Sequence, residues 1–180
     1  MDRAAALRDF VKMFHLYKSL GDKAMAQVPT DAAFGHLLDA DSNSIAIIVQ
    51  HIAGNLRSRY RDFLTTDGEK PDRHRDDEFE VHEPVTREGV LTMWNDGWSV
   101  AFAALETLGP DDLEKTITIR GEAFLVFEAL NRSVTHTAYH VGQIVYLARH
   151  LAAPNWTSLS IPKGKSSEFS KGNFKGQSKV

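Results

Sequence analysis

Asn131-Arg-Ser-Val-Thr-His-Thr-Ala-Tyr-His-Val-Gly-Gln-Ile-Val-Tyr-Leu-Ala-Arg-His-Leu151 is the stretch on which the reading of this chain turns. Its apolar residues recur at three- and four-residue intervals, the period of an amphipathic helix. His136 and His140 are four residues apart, so at roughly 100° per residue their imidazoles leave the same side of that helix. Ala129, Leu130, Val134, Val141, Ile144, Val145, Leu147 and Leu151 gather into one apolar arc, and the two histidines stand at its edge. An arc this wide must be covered by other elements. The stretch therefore predicts a helical assembly with two polar ligands where the arc meets solvent.

Working outward, helices are predicted almost everywhere. The first runs from about Arg3 to Val28, with Leu7, Phe10, Phe14, Tyr17, Ala24 and Val28 as its stripe and Pro29 as its stop. Asp41-Ser-Asn-Ser44 supplies capping side chains for a second, from about Ser44 to Leu64. Its arc holds Ile45, Ile48, Val49, Ile52 and Leu56, with His51 again at the edge and Asn55 beside it one turn on. Arg59 falls inside that arc, where a cation must snorkel, pair with a carboxylate or face an anionic ligand. Residues 66–85, with Pro71, Pro84 and the run Arg73-His-Arg-Asp-Asp-Glu78, read as an exposed linker, and His74 and His82 within it as solvated. A third helix is expected from Thr86 to about Leu108, its side of Val90, Trp94, Trp98, Ala101, Leu105 and Leu108 reading as core. Thr116-Ile-Thr-Ile-Arg120 alternates as a short strand or extended arm would. The fourth and longest helix is expected from about Glu122 to Leu151, closed by Pro154.

Composition bounds what such a chain can be. Its 180 residues at 42% hydrophobic suffice for one domain with a sizeable core. The expected division is a helical, metal-binding domain over 1–152 and a basic tail over 153–180. That tail keeps Trp156, Leu159, Ile161, Phe169 and Phe174, too many apolar groups for a free segment, so it is expected to dock on the helices or on a second subunit. No apolar run reaches the roughly 18 to 20 residues of a membrane span, and the opening Met1-Asp-Arg-Ala-Ala-Ala lacks the pattern of a secretory signal. A cytoplasmic protein is expected. The chain has no cysteine, which excludes disulfides, thiolate nucleophiles and cysteine-type zinc fingers. Net charge is -3, yet Lys163, Lys165, Lys171, Lys175 and Lys179 face only Glu168 in the tail, so the body is more acidic than the total. Such a body repels nucleic acid, which is not expected as a partner.

His51 lies 85 residues before His136, so it can join the pair only if the second and fourth helices are neighbours. Two readings stand open at this point. Each histidine is an interfacial polar residue satisfied by its own hydrogen bond, or the three meet in one cleft as metal ligands. Three neutral imidazoles suit zinc, nickel, copper or iron and leave a coordination position open, the mark of a catalytic rather than a structural site. Asn55 and Gln143 are candidates to orient the ligands, and Arg59 is a candidate contact for an anion or substrate. No carboxylate stands at a spacing that nominates it for acid–base work.

A chain with one histidine in its second helix and a His-x-x-x-His pair in its fourth resembles the DinB/YfiT-like metalloenzyme superfamily. The segments Asn43-Ser-Ile-Ala-Ile-Ile-Val-Gln-His-Ile-Ala-Gly-Asn-Leu56 and Trp156-Thr-Ser-Leu-Ser-Ile-Pro-Lys-Gly-Lys-Ser166 look like a DUF1572-type branch of it, over about residues 3–165. The resemblance implies an all-α, up-down-down-up four-helix bundle with long crossover connections. It also implies zinc or nickel on His51, His136 and His140, frequent homodimers, and thiol-dependent transferase or isomerase chemistry with a low-molecular-weight thiol. Two functions are carried forward. One is a metal-dependent enzyme of group transfer or hydrolysis on a small-molecule substrate. The other is a non-catalytic stress-response interaction protein whose histidines are structural or vestigial.

Overall fold

A computed structural model describes residues 2–80 and 84–168. His82, Lys171, Lys175, Lys179 and the tail aromatics Phe169 and Phe174 lie outside the described residues. The described chain is predominantly helical: α1 (Arg3–Met25), α2 (Asp31–Phe34), α3 (Ile45–Tyr60), α4 (Arg87–Glu106) and α5 (Val126–Ala152), with one antiparallel pair, β1 (Thr116–Ile119) and β2 (Glu122–Leu125). Side chains at the helix starts fix the boundaries. Asp2, Ser44 and Thr86 accept the backbone N–H groups of Ala5, Ile47 and Gly89, which have no partner inside their own first turns.

The apolar arcs read from the sequence do form the core. Phe14, Trp94 and Trp98 are fully buried, and Phe14 meets Tyr60 and Trp98 edge-on. The Trp94 indole N–H is satisfied by the Asp22 carboxylate at 2.7 Å. α3 packs chiefly on α4 and α1 chiefly on α5. The first of these pairs is unusually close, because a Cβ placed on Gly97 would stand 2.7 Å from the Cα of Ala53. None of the helices among the described residues is long and apolar enough to cross a membrane.

Three sequence expectations need correction. The last helix begins at Val126, not Glu122, because residues 122–125 pair with 116–119 in register Thr116↔Leu125 to Ile119↔Glu122. The fold is thus not purely helical. Arg120 and Gly121 close this hairpin with φ of +57° and +76°, the two-residue turn whose twist suits paired strands. α3 ends at Tyr60, short of Leu64, and the chain turns through Asp62 at φ +51°.

The third correction decides the site. Residues 66–80 are no exposed linker: the chain folds back along α3, and Lys70 and Glu78 are 6% and 7% exposed. Backbone groups hold it there. Ser58 Oγ accepts the Lys70 N–H at 3.0 Å and donates to Gly68 O at 2.9 Å, and the Gln50 amide donates to Asp77 O at 2.8 Å. The segment also grips the hairpin. Gly68 N–H donates to Thr118 O at 2.8 Å, and the two Asp67 carboxylate oxygens accept the Arg120 and Gly121 N–H groups at 2.8 Å each. His74 is exposed, as expected of it. After α5, Trp156 and Leu159 are partly buried against the core, and Thr157 exchanges two backbone-to-side-chain hydrogen bonds with Gln27 at the end of α1.

Candidate metal centre

Helix spacing delivers two ligands and tertiary packing the third. His136 and His140 stand one turn apart on α5, and their rings meet His51 of α3 with centroids 5.2 and 4.8 Å away. One nitrogen from each of the three imidazoles lies within 4.8 Å of the others. The closest approach is His51 Nε2 to His136 Nε2, 3.1 Å. A tetrahedral ion bound at about 2.05 Å to each nitrogen would need nitrogens about 3.3 Å apart. The geometry fits.

Which nitrogens face inward is set by what the outer ones bond to. His51 Nδ1 lies 2.9 Å from Glu78 Oε2. An ionised carboxylate only accepts, so this nitrogen carries the proton and leaves Nε2 a bare lone pair. His140 Nδ1 is likewise 2.8 Å from the amide oxygen of Gln143, which aims its Nε2 at the same point. Burial, reinforced by the neighbouring His140 and His51, pushes His136 down to about 3. His140 is also lowered by burial, against the opposing hydrogen bond to Gln143. Protons are therefore weak competitors for two of the three ligand positions.

Glu78 is the residue sequence reasoning missed. It came from the run read as solvated, yet its carboxylate is anchored by two bonds from Arg73, Nε to Oε1 at 2.8 Å and a terminal nitrogen to Oε2 at 2.9 Å. Burial by itself would raise this carboxyl, but the bonds from Arg73 and His51 outweigh it and hold it below the usual range. The signal in the sequence was Gly54, a glycine within an amphipathic helix, three residues after His51. A Cβ there would lie 2.1 Å from Glu78 Oε1, so only glycine lets the carboxylate come this close to the helix.

A family model, DUF1572, described as a protein of unknown function, matches residues 3–165. The chain belongs to the DUF1572 family. No curated protein matches it, and no solved structure does.

Beside the histidines opens a cavity of about 210 Å³, lined at one end by His51 and His136. Asn55 lies in this lining rather than on a histidine nitrogen. Arg59 lines it too, 13% exposed and 3.0 Å from Glu69, with a further bond to Gly68 O. Burial lowers the Arg59 guanidinium from its ordinary value, against the pull of Glu69. The floor is apolar, built by Phe63, Ile117, Ile119 and Ala129. Tyr60 and Ser133 turn hydroxyls toward one another there, near enough for Ser133 to favour the phenolate slightly, but without a hydrogen bond of good geometry. Burial dominates and raises the Tyr60 phenol.

Proposed function

We propose that this chain is a metal-dependent enzyme in which His51, His136 and His140 hold one divalent transition ion, zinc or nickel. The observation that carries the reading is the convergence of three imidazoles, two of them held through Nδ1 by outer partners, beside a cavity lined by His51 and His136. Three protein ligands leave a coordination position for a substrate atom, and the cavity supplies the route to it. When bound, the ion would supply Lewis acidity toward a thiol, water or carbonyl group.

The chain's own residues do the rest. Arg73 holds Glu78, Glu78 holds the His51 tautomer, and Gln143 holds that of His140, so the ligand set is arranged before an ion arrives. The apolar floor excludes water from one side of the cavity. The chemistry that fits is group transfer or hydrolysis on a small molecule, with a low-molecular-weight thiol as candidate co-substrate. The four long helices fit a bundle of DinB/YfiT type, and with it a cytoplasmic homodimer whose residues 153–168 pack on the bundle or on the second subunit.

Elemental analysis of the purified protein tests the first step. About one equivalent of metal per chain is expected, lost in His51→Ala, His136→Ala and His140→Ala. Protein that neither retains metal nor takes it up on titration would overturn the proposal. A screen of thiol-transfer and hydrolysis reactions on the loaded protein then separates the two chemistries.

A further inference from the structure

We infer that the cavity beside the metal centre is an oxyanion site, built for a small organic acid whose carboxylate or phosphate faces the arginines while another donor atom reaches the metal. The inference rests on the proposed metal site for its second half, but its first half stands on the cavity alone. Five arginines line this small space, and among the described residues no carboxylate does. They come from four separated segments: Arg59 on α3, Arg73 and Arg75 in the segment folded back along α3, Arg120 on the hairpin turn and Arg132 on α5. Guanidinium groups brought together this way repel one another unless anions answer them.

The anions available among the described residues are too few. Glu78 is taken up by Arg73. Glu69 is shared among three arginines, 3.0 Å from Arg59, 3.0 Å from Arg120 and 3.6 Å from Arg73. Among the described residues Arg75 meets one carboxylate, the fully exposed Asp76 at 3.8 Å, and its guanidinium lies 5.1 Å over the Phe79 ring. Arg132 has no carboxylate partner among the described residues and rests 5.8 Å over the ring of Phe124. The planar forks of Arg75 and Arg132 are thus held against aromatic faces with donors to spare, the arrangement that receives an oxyanion through two parallel bonds.

Two further observations point inward to a ligand. The Tyr60 and Ser133 hydroxyls are buried, 2% and 8% exposed; they face one another without a well-aligned hydrogen bond, and neither has another partner among the described residues. Buried hydroxyls are nearly always paired, and both line this cavity. Arg132, Ser133 and His136 share one face of α5, the arginine one turn before the ligand histidine, or about 6 Å along the axis. A molecule spanning that distance touches metal and guanidinium at once. An apolar cavity of roughly 150 Å³ holds a benzene-sized ligand, so about 210 Å³ admits an acid of modest size over the Ile117 and Ile119 floor.

Calorimetric titration of metal-free protein with phenyl phosphate, benzoate and neutral benzyl alcohol tests the site without relying on the metal. Both anions are expected to bind, weakening as salt is raised, while the alcohol binds at least tenfold more weakly. Whichever anion binds more tightly distinguishes phosphate from carboxylate. Arg132→Gln and, separately, Arg75→Gln should each weaken anion binding about tenfold and leave metal content unchanged, since both side chains are solvent-exposed and glutamine suits the helix at Arg132. Equal binding of the alcohol and the anions, or unaltered anion affinity in both variants, would overturn the inference. Anion binding by a protein that takes up no metal would support the oxyanion site and remove the metal-centre reading instead.

Discussion

At the residue scale the site depends on Glu78 reaching His51, and that depends on a missing side chain. Gly54→Ala would put a methyl group 2.1 Å from Glu78 Oε1 and 2.7 Å from its carboxyl carbon. α3 should tolerate alanine as a helix residue, so the strain falls on the carboxylate, which must retreat from His51 Nδ1. Outer partners of this kind typically govern metal affinity by roughly 10- to 100-fold. Gly54→Ala is expected to weaken metal binding within that range, read by competition against a chromophoric chelator. Affinity equal to that of the unaltered protein would mean that Glu78 does not tune the site. The histidines themselves were legible because spacing on a helix is a local property: His136 and His140 share a face whatever surrounds them. Glu78 was not, because a charged run folded inward by contacts with Gly54 and Arg73 has the same composition as one left in water.

At the scale of elements, the same blindness hid the hairpin. Thr116-Ile-Thr-Ile reads as extended on its own, but Glu122-Ala-Phe-Leu125 has no alternation to announce a partner strand and abuts a strongly helical run. What closes the hairpin lies some fifty residues away: Asp67, whose carboxylate caps the turn carrying Arg120 into the cavity. These backbone bonds, first that from Glu69 N–H and then that from Gly121, hold Asp67 at about 2 against an ordinary 3.8. Between those pH values the unfolded chain binds more protons than the folded one, so the contribution of Asp67 is whole above about 3.8 and fades as pH falls toward 2. Asp67→Asn should therefore lower the urea midpoint most at neutral pH, and its gap from the unaltered protein should narrow as titrations move from pH 6 through 4 to 3. A gap that stays constant across those three values would show that the carboxylate charge is not what holds the turn. The arginine cluster was equally hidden, since four segments contribute to it and only Arg59 stood out of pattern in its own helix.

At the scale of the whole molecule, the three histidines join two packing units. α3 rests chiefly on α4 and α1 on α5, and His51 meets His136 and His140 where α3 approaches α5. An ion held there ties the first pair to the second and exists only in the folded chain, so its binding free energy adds to stability. Free metal at a hundred times its dissociation constant should stabilise the protein by about 2.7 kcal/mol. For a domain of this size, that corresponds to a rise in melting temperature of roughly 5 to 11 °C. Thermal unfolding followed by circular dichroism, with zinc or nickel against excess chelator, should show this rise in the unaltered protein and in Arg132→Gln. His136→Ala should lose it, because two remaining imidazoles on different helices cannot reproduce the three-ligand affinity. A rise of the same size in His136→Ala would place the stabilising ion elsewhere on the molecule and dissolve the link between the two helix pairs.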